Sequence, residues 1–239
     1  MNLLIIHPNE RTPQNLVVLE GRRAEHLTKI LRVDINSSVR TGVINGSIGQ
    51  SKVIKMDSGR VTLELDQSSF ELPPEAIPCQ LILAMPRPKM MRRVLQNIAA
   101  MGVKEIHLIN SWKVEKSYWQ TPWLSEQALM ENLLLGLEQS IDTIVPKVMT
   151  HRLFKPFVED IMPGLIKGKI TLLAHPGATT RCPVGLKEPS SLIIGPEGGF
   201  TDYEVTRLRE AGAETVHAGQ RVLRVETAIP ALLSRLYPP

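Results

Sequence analysis

The sequence predicts an α/β protein of two parts: a small β-rich domain, then a larger domain on a mostly parallel sheet. Three observations carry that expectation. Short apolar runs and turn signals crowd the first 70 residues; a proline-rich stretch follows; from Gln80 onward apolar runs alternate with helical periodicity. The length, 239 residues, suits one large domain or two modest ones. Hydrophobic residues make up 43% and charged residues 22%, ordinary globular usage that excludes disordered and collagen-like chains.

In the N-terminal part, apolar runs lie at residues 3–6, 16–19, 39–43, 51–54 and 61–65. Asn45-Gly46 and Ser58-Gly59 are turn signals between them. The segment EHLTKILR predicts a short helix over 25–31. Short strands at close spacing predict a small barrel or a sandwich. The stretch SSFELPPEAIP holds Pro73, Pro74 and Pro78. Proline removes backbone donors and fixes φ, so residues 71–79 read as a linker between domains at 1–70 and 80–239.

In the second part, QLILAM is a continuous apolar run, as a strand buried on both faces requires. Met91, Val94, Leu95, Ile98 and Met101 follow at helical spacing, and Gly102 is placed to stop that helix. EIHLIN is the next strand and 125–140 a leucine-rich helix. KITLLAH, SLIIG and ETVHAG predict three further strands. Thr201 and Glu204 form a capping-box signature for a helix that ends at Gly212. A final helix runs to about Leu236, with Ile229, Leu232, Leu233 and Leu236 on one face.

Cys79 and Cys182 are the two cysteines, far apart in sequence, which excludes a disulfide framework and a zinc cluster. No apolar run reaches the roughly 18 residues that span a bilayer, and Met1 to Arg11 lacks a basic region before its apolar stretch. The expectation is a soluble cytoplasmic protein without metal or membrane. The net charge is +4. Residues 11–40 hold six Lys/Arg against three Asp/Glu, and Arg87, Lys89, Arg92 and Arg93 cluster without an acid. Such clusters read either as a solvated face or as a polyanion site.

The most distinctive segment is Ile193 to Thr201, where a strand passes through Gly195-Pro196-Glu197-Gly198-Gly199 into a capped helix. Glycines there admit φ > 0 and close approach of a ligand to main-chain amides. It is neither a P-loop nor a GxGxxG fingerprint. Leu173-Ala174-His175 and the run from Gly219 to Thr227 end two other strands. In open α/β sheets ligands bind at strand C-termini, so the three loops together form a candidate pocket. His175 alone reads as a loop residue, and Arg224 with Glu226 reads equally well as an internal ion pair.

IIGPEGGFTDYE followed by AGQRVLRVETA resembles the bacterial 16S ribosomal RNA uracil-N3 methyltransferases, of the SPOUT class. LLAHP, MGVKEIHLI, LEQSIDTIVP and the N-terminal HLTKILRV fit the same pattern, so the resemblance spans nearly the whole chain. It implies a trefoil-knotted domain, a PUA-like N-terminal β-barrel that binds RNA, a homodimer, S-adenosylmethionine as cofactor and small-subunit ribosomal RNA as partner. Carried over by position, the cofactor pocket would hold Leu173, Ala174, His175, Gly195, Pro196, Glu197, Gly198, Gly199, Gly219, Leu223, Arg224, Glu226 and Thr227. Arg224 would steady charge on the uracil and Glu226 would accept its proton, or else hold Arg224 or cap the last helix. His26, Lys29 and Arg32, on one helix face, and Arg87, Lys89, Arg92 and Arg93 would contact phosphate.

The chain departs from the family at Met101, where a glutamate is usual, at Asp142, where a basic residue is usual, and at Pro230 in the last helix. With Thr227 as N-cap, Pro230 would fall in the first turn, where its missing donor costs nothing. Two alternatives remain: a same-fold methyltransferase for another ribosomal or transfer RNA site, and a non-catalytic RNA-binding assembly factor.

Overall fold

A computed structural model describes residues 2–238. The fold separates into two compact units, residues 1–75 with 134–145 and residues 76–133 with 146–239. The boundary is therefore not the single cut that the proline stretch suggests.

The first unit carries β1 (Leu4–Ile6), β2 (Leu16–Leu19), β3 (Ser38–Val43), β4 (Ile48–Asp57) and β5 (Arg60–Glu71) in one sheet, order β1-β3-β4-β5-β2. β1 and β3 are parallel; the other pairs are antiparallel. Val61, Leu63 and Leu65 of β5 alternate inward with polar neighbours outward, the period-2 pattern of a half-buried strand. They join Leu4, Ile6, Val17, Leu19, Leu27 and Val53 in one core. Among the described residues no pairing joins β1 to β2. The ladder is open, where the strand spacing predicts a small barrel or a sandwich and the family resemblance implies a barrel.

The expected helix over 25–31 starts earlier. α1 (Gly21–Glu25) continues through a π-helical stretch, His26–Ile30, and stops there. Arg32 follows with φ +50°, so it does not share a helix face with His26 and Lys29. Residues 134–145 belong to this unit through backbone bonding: the amides of Asn2 and Leu3 both donate to the Glu138 carbonyl, at 2.9 Å. The Arg22 guanidinium holds the Glu138 carboxylate in a two-pronged pair at 2.9 Å. Asp142 is buried and accepts the Ile144 amide at 2.9 Å. The departure from a base to an acid thus serves a local turn.

The second unit is a six-stranded, all-parallel sheet of β6 (Cys79–Ala84), β7 (Glu105–Ile109), β8 (Lys147–His151), β9 (Ile170–Ala174), β10 (Ser190–Ile194) and β11 (Glu214–Val216). The order is β11-β9-β10-β6-β7-β8. β6 and β10 are central and buried throughout, as the continuous apolar runs require. Parallel pairing brings all six C-terminal ends to one edge.

The helices are α2 (Pro88–Ala100), α3 (Glu126–Ser140), α4 (Phe154–Pro156) leading through a π stretch into α5 (Met162–Ile166), α6 (Asp202–Glu210) and α7 (Val225–Leu236). α3 begins in the second unit and ends in the first. α2 packs on α7. Ile229, Leu232, Leu233 and Leu236 are all buried within this chain, so the stripe is core. The N-cap of α7 is Arg224, not Thr227. Pro230 is therefore inside the helix and withdraws the donor that the Glu226 carbonyl would receive.

Candidate functional site

The parallel edge gathers the three expected loops. Ala174 ends β9, Ile194 ends β10 and Val216 ends β11, and β9 pairs with both others at Ala174. Beyond them lies a cavity of about 340 Å³. Ala174, His175, Gly195, Pro196, Glu197, Gly199, Gly219, Leu223 and Arg224 line it. Leu173 is buried in β9 and does not, and Gly198 and Thr227 also stand outside the lining.

The glycine loop has a specific local logic. Gly199 has φ +68° and Gly219 φ +157°, backbone that L side chains rarely adopt. Gly198, expected to need positive φ, does not have it. Its carbonyl accepts Lys113 Nζ at 2.8 Å, and a Cβ there would meet the Lys113 side chain at 3.1 Å. A Cβ at Gly195 would press the Phe200 ring at 3.0 Å. The loop thus packs against Phe200, which lines the same cavity.

α6 anchors the far end of the loop. The Thr201 amide donates to Glu204 Oε2 at 2.8 Å, and the Glu204 amide donates back to Thr201 Oγ1 at 3.3 Å. Glu204 is 3% exposed. Its carboxylate also accepts the Trp112 amide at 2.7 Å and the Ser111 hydroxyl at 3.3 Å. Burying a charge is costly unless it is fully hydrogen-bonded, and here four donors meet it. The capping box is visible in sequence; its second task, fixing the loop after β7, is not.

A second cavity of about 870 Å³ is lined by Arg87, Lys89, Glu115, Tyr118, Glu197, Arg224 and Glu226, with Pro88 and Met90. Glu197 and Arg224 line both cavities. The Arg87 amide donates to Glu197 Oε1 at 3.0 Å, tying the loop after β6 to the glycine loop. Among the described residues no ion pair joins Arg224 to Glu226. Arg224 is exposed at the N-cap of α7; Glu226 is half-buried in its first turn and faces only the second cavity. Tyr118 has no local signature in the sequence, because residues 110–124 have neither periodicity nor a motif.

Arg92 and Arg93 are exposed on α2, with the Arg92 guanidinium 5.2 Å from the Trp123 ring centroid. Met101 caps α2 and takes no part in either cavity. No group of three His, Cys, Asp or Glu among the described residues could hold a metal ion. No helix there is long and apolar enough to cross a membrane.

Comparison with known proteins gives consistent results. The RNA methyltransferase domain family matches residues 73–237. The ribosomal RNA small subunit methyltransferase E of Treponema pallidum is 24% identical over 231 residues, covering 94% of this chain and 86% of its own. The ribosomal RNA small subunit methyltransferase E 1 of Borreliella burgdorferi is 25% identical over 231 residues, covering 95% of this chain and 94% of its own. The solved structure of ribosomal RNA small subunit methyltransferase E from Neisseria gonorrhoeae, bound to S-adenosyl methionine, matches with a TM-score of 0.72 at 21% identity, covering 98% and 95%. That likeness shows a common fold.

Proposed function

The chain belongs to the RNA methyltransferase domain family, and from there we propose that it methylates N3 of a uridine in small-subunit 16S ribosomal RNA, with S-adenosylmethionine as donor. One observation carries the reading: two cavities at the parallel edge meet at Glu197 and Arg224. One side suits a cofactor and the other a base.

The first cavity fits the cofactor by its chemistry. Ile194, Val216, Val222, Leu223 and Leu232 offer apolar surface, and glycine backbone at Gly195, Gly199 and Gly219 permits close approach. Bound S-adenosylmethionine supplies a methyl carbon already activated by its sulfonium group. The protein's own task is orientation and electrostatics. Arg224 places a guanidinium between the cavities, where it steadies negative charge on the uracil oxygens as N3 loses its proton. The N-terminus of α7 adds a positive field at the same point. Glu226 takes the N3 proton. The N3 electron pair that Glu226 and Arg224 make available would be the nucleophile for the methyl group that bound S-adenosylmethionine would supply.

Arg87 and Lys89 on the second cavity, Arg92 and Arg93 on α2, and His26, Lys29 and Arg32 in the first unit serve as phosphate contacts. The first unit is the PUA-like RNA-binding element. The trefoil knot is supported by the path of residues 182–186. The Cys182 amide donates to the His217 carbonyl, and Gly185 and Leu186 donate to Arg235 and Leu236 at the end of α7. A cytoplasmic homodimer completes the reading, and Val222, 77% exposed at the cofactor cavity, is its apolar contact.

The test is mass-spectrometric mapping of modified nucleotides in ribosomal RNA from cells lacking the protein, with restoration in vitro by purified protein and cofactor. Loss of one N3-methyluridine in 16S RNA is expected. Loss at another position, or in transfer RNA, selects the same-fold alternative. An unchanged map with retained RNA binding selects the assembly factor.

A further inference from the structure

We infer that Tyr118 is the stacking platform for the target base, and that the second cavity receives one unstacked pyrimidine nucleotide of RNA, its phosphate on Arg87 and Lys89. The inference rests on the methyltransferase reading and names how the base is held.

Tyr118 is the only aromatic residue lining that cavity among the described residues, in a chain with 4% aromatics. A base pulled from its stack loses contact on both faces, and an aromatic side chain restores one of them. The ring is set in advance. It lies in the 3₁₀ turn Lys116–Gln120, whose next residue, Trp119, is buried and donates Nε1 to Asn110 Oδ1 at 2.9 Å. The Tyr118 amide donates to the Glu115 carbonyl at 2.9 Å and its hydroxyl to Glu115 Oε1 at 3.2 Å. A pre-set ring gives contact area with little further loss of entropy.

The charges around it sort by task. Glu115 is occupied by the Tyr118 and Ser117 hydroxyls. Glu197 accepts the Arg87 amide. That leaves Glu226 as the carboxylate for a base N–H, and Arg87, Lys89 and Arg224 as cations for phosphate and uracil oxygens. The Tyr118 hydroxyl itself is no base: desolvation and the Glu115 carboxylate push its pKa above the ordinary phenol value.

The experiment compares wild type, Tyr118→Leu and Tyr118→Phe in single-turnover methylation of ribosomal RNA at saturating cofactor, with cofactor affinity measured by calorimetry. Stacking of one base corresponds to about 5- to 150-fold. Tyr118→Leu is expected to lower kcat/KM for RNA within that range while cofactor affinity stays within twofold, and Tyr118→Phe, which keeps the ring, to recover most of the loss. A second arm uses RNA made abasic at the mapped target: its affinity should be the same for wild type and Tyr118→Leu. Unchanged kcat/KM in Tyr118→Leu overturns the platform. So does equal damage in both variants, which would assign the role to the hydroxyl. A wild-type protein that binds cofactor yet methylates no RNA removes the functional reading, and this inference with it.

Discussion

The Arg87 main-chain amide donates to Glu197 Oε1 at 3.0 Å, across 110 residues of sequence. This bond joins the start of α2 to the glycine loop, so the strand end of β6 and that of β10 hold one another in place. Glu197 also stands where the two cavities meet. Glu197→Ala should weaken cofactor binding roughly fivefold, the worth of about 1 kcal/mol for a partly exposed hydrogen bond. Glu197→Gln, which keeps an acceptor, should recover most of it. Calorimetric titration with S-adenosylmethionine is the measurement; equal affinities in all three proteins would show that the latch has no part in the pocket.

Gly199 and Gly198 should respond oppositely to a side chain. Gly199 has open space but φ +68°, so Gly199→Val forces a β-branched residue into a backbone it avoids. Gly198 lacks that φ, and a Cβ meets only the flexible Lys113 chain. Gly198→Ala should therefore bind cofactor within about threefold of wild type, whereas Gly199→Val should bind roughly five- to thirtyfold more weakly, a loop strain of about 1–2 kcal/mol. The reverse order in the same titration would contradict the loop geometry.

Arg224→Ala should leave a folded protein, because the side chain is exposed and the α7 cap is made by backbone: Arg224 accepts the Ala228 amide at 2.7 Å. If, as proposed, the guanidinium serves charge that develops in the reaction, its loss should lower the single-turnover rate more than cofactor affinity. A wild-type rate with weak cofactor binding would make Arg224 a binding residue only.

Leu233 is fully buried on α7, the helix that packs on α2. Leu233→Ala should cost about 2–5 kcal/mol in denaturant unfolding. Leu233→Asp should not yield folded protein. Val222→Asp, on an exposed residue, should fold normally and shift sedimentation toward monomer. A stable, dimeric Leu233→Asp protein would contradict the buried stripe.

His107 and His151 should make the second unit acid-sensitive. His107 is 3% exposed, with Nδ1 at 3.0 Å from His151 Nε2 and Nε2 at 3.0 Å from Glu105 Oε1. Burial pushes both imidazoles below their ordinary value, and for His151 the neighbouring His107 adds to it. The folded state therefore holds them neutral after the unfolded chain has begun to take protons. Their contribution is complete above the unfolded value near 6.5 and is lost as pH falls below it. Urea midpoints should fall between pH 7.5 and 5.5, and the fall should be shallower in His151→Gln. The same slope in both proteins would clear the pair of responsibility.

Local periodicity determined the elements, because strands and helices answer to the spacing of apolar residues within a few positions. QLILAM, the Thr201–Glu204 box and the Ile229–Leu236 stripe therefore appear where the sequence puts them. The three loops were legible too, since glycine and strand ends leave local marks. What covers a stripe, where a helix begins and which loops touch depend on distant partners. The Leu233 stripe shows in the sequence only as apolar, and its burial within the chain shows that it is core. Pro230 moved from the first turn to the helix interior once Arg224 proved to be the cap. Residues 134–145 join the first unit through Glu138, a bond no local pattern announces. Tyr118 carries no motif, and only the tertiary structure, by folding residues 115–118 beside Arg87 and Arg224, put an aromatic ring in the second cavity. Composition and spacing act within a turn or a strand; a site is made by contacts across the chain, and those are decided when the sheet brings its strand ends to one edge.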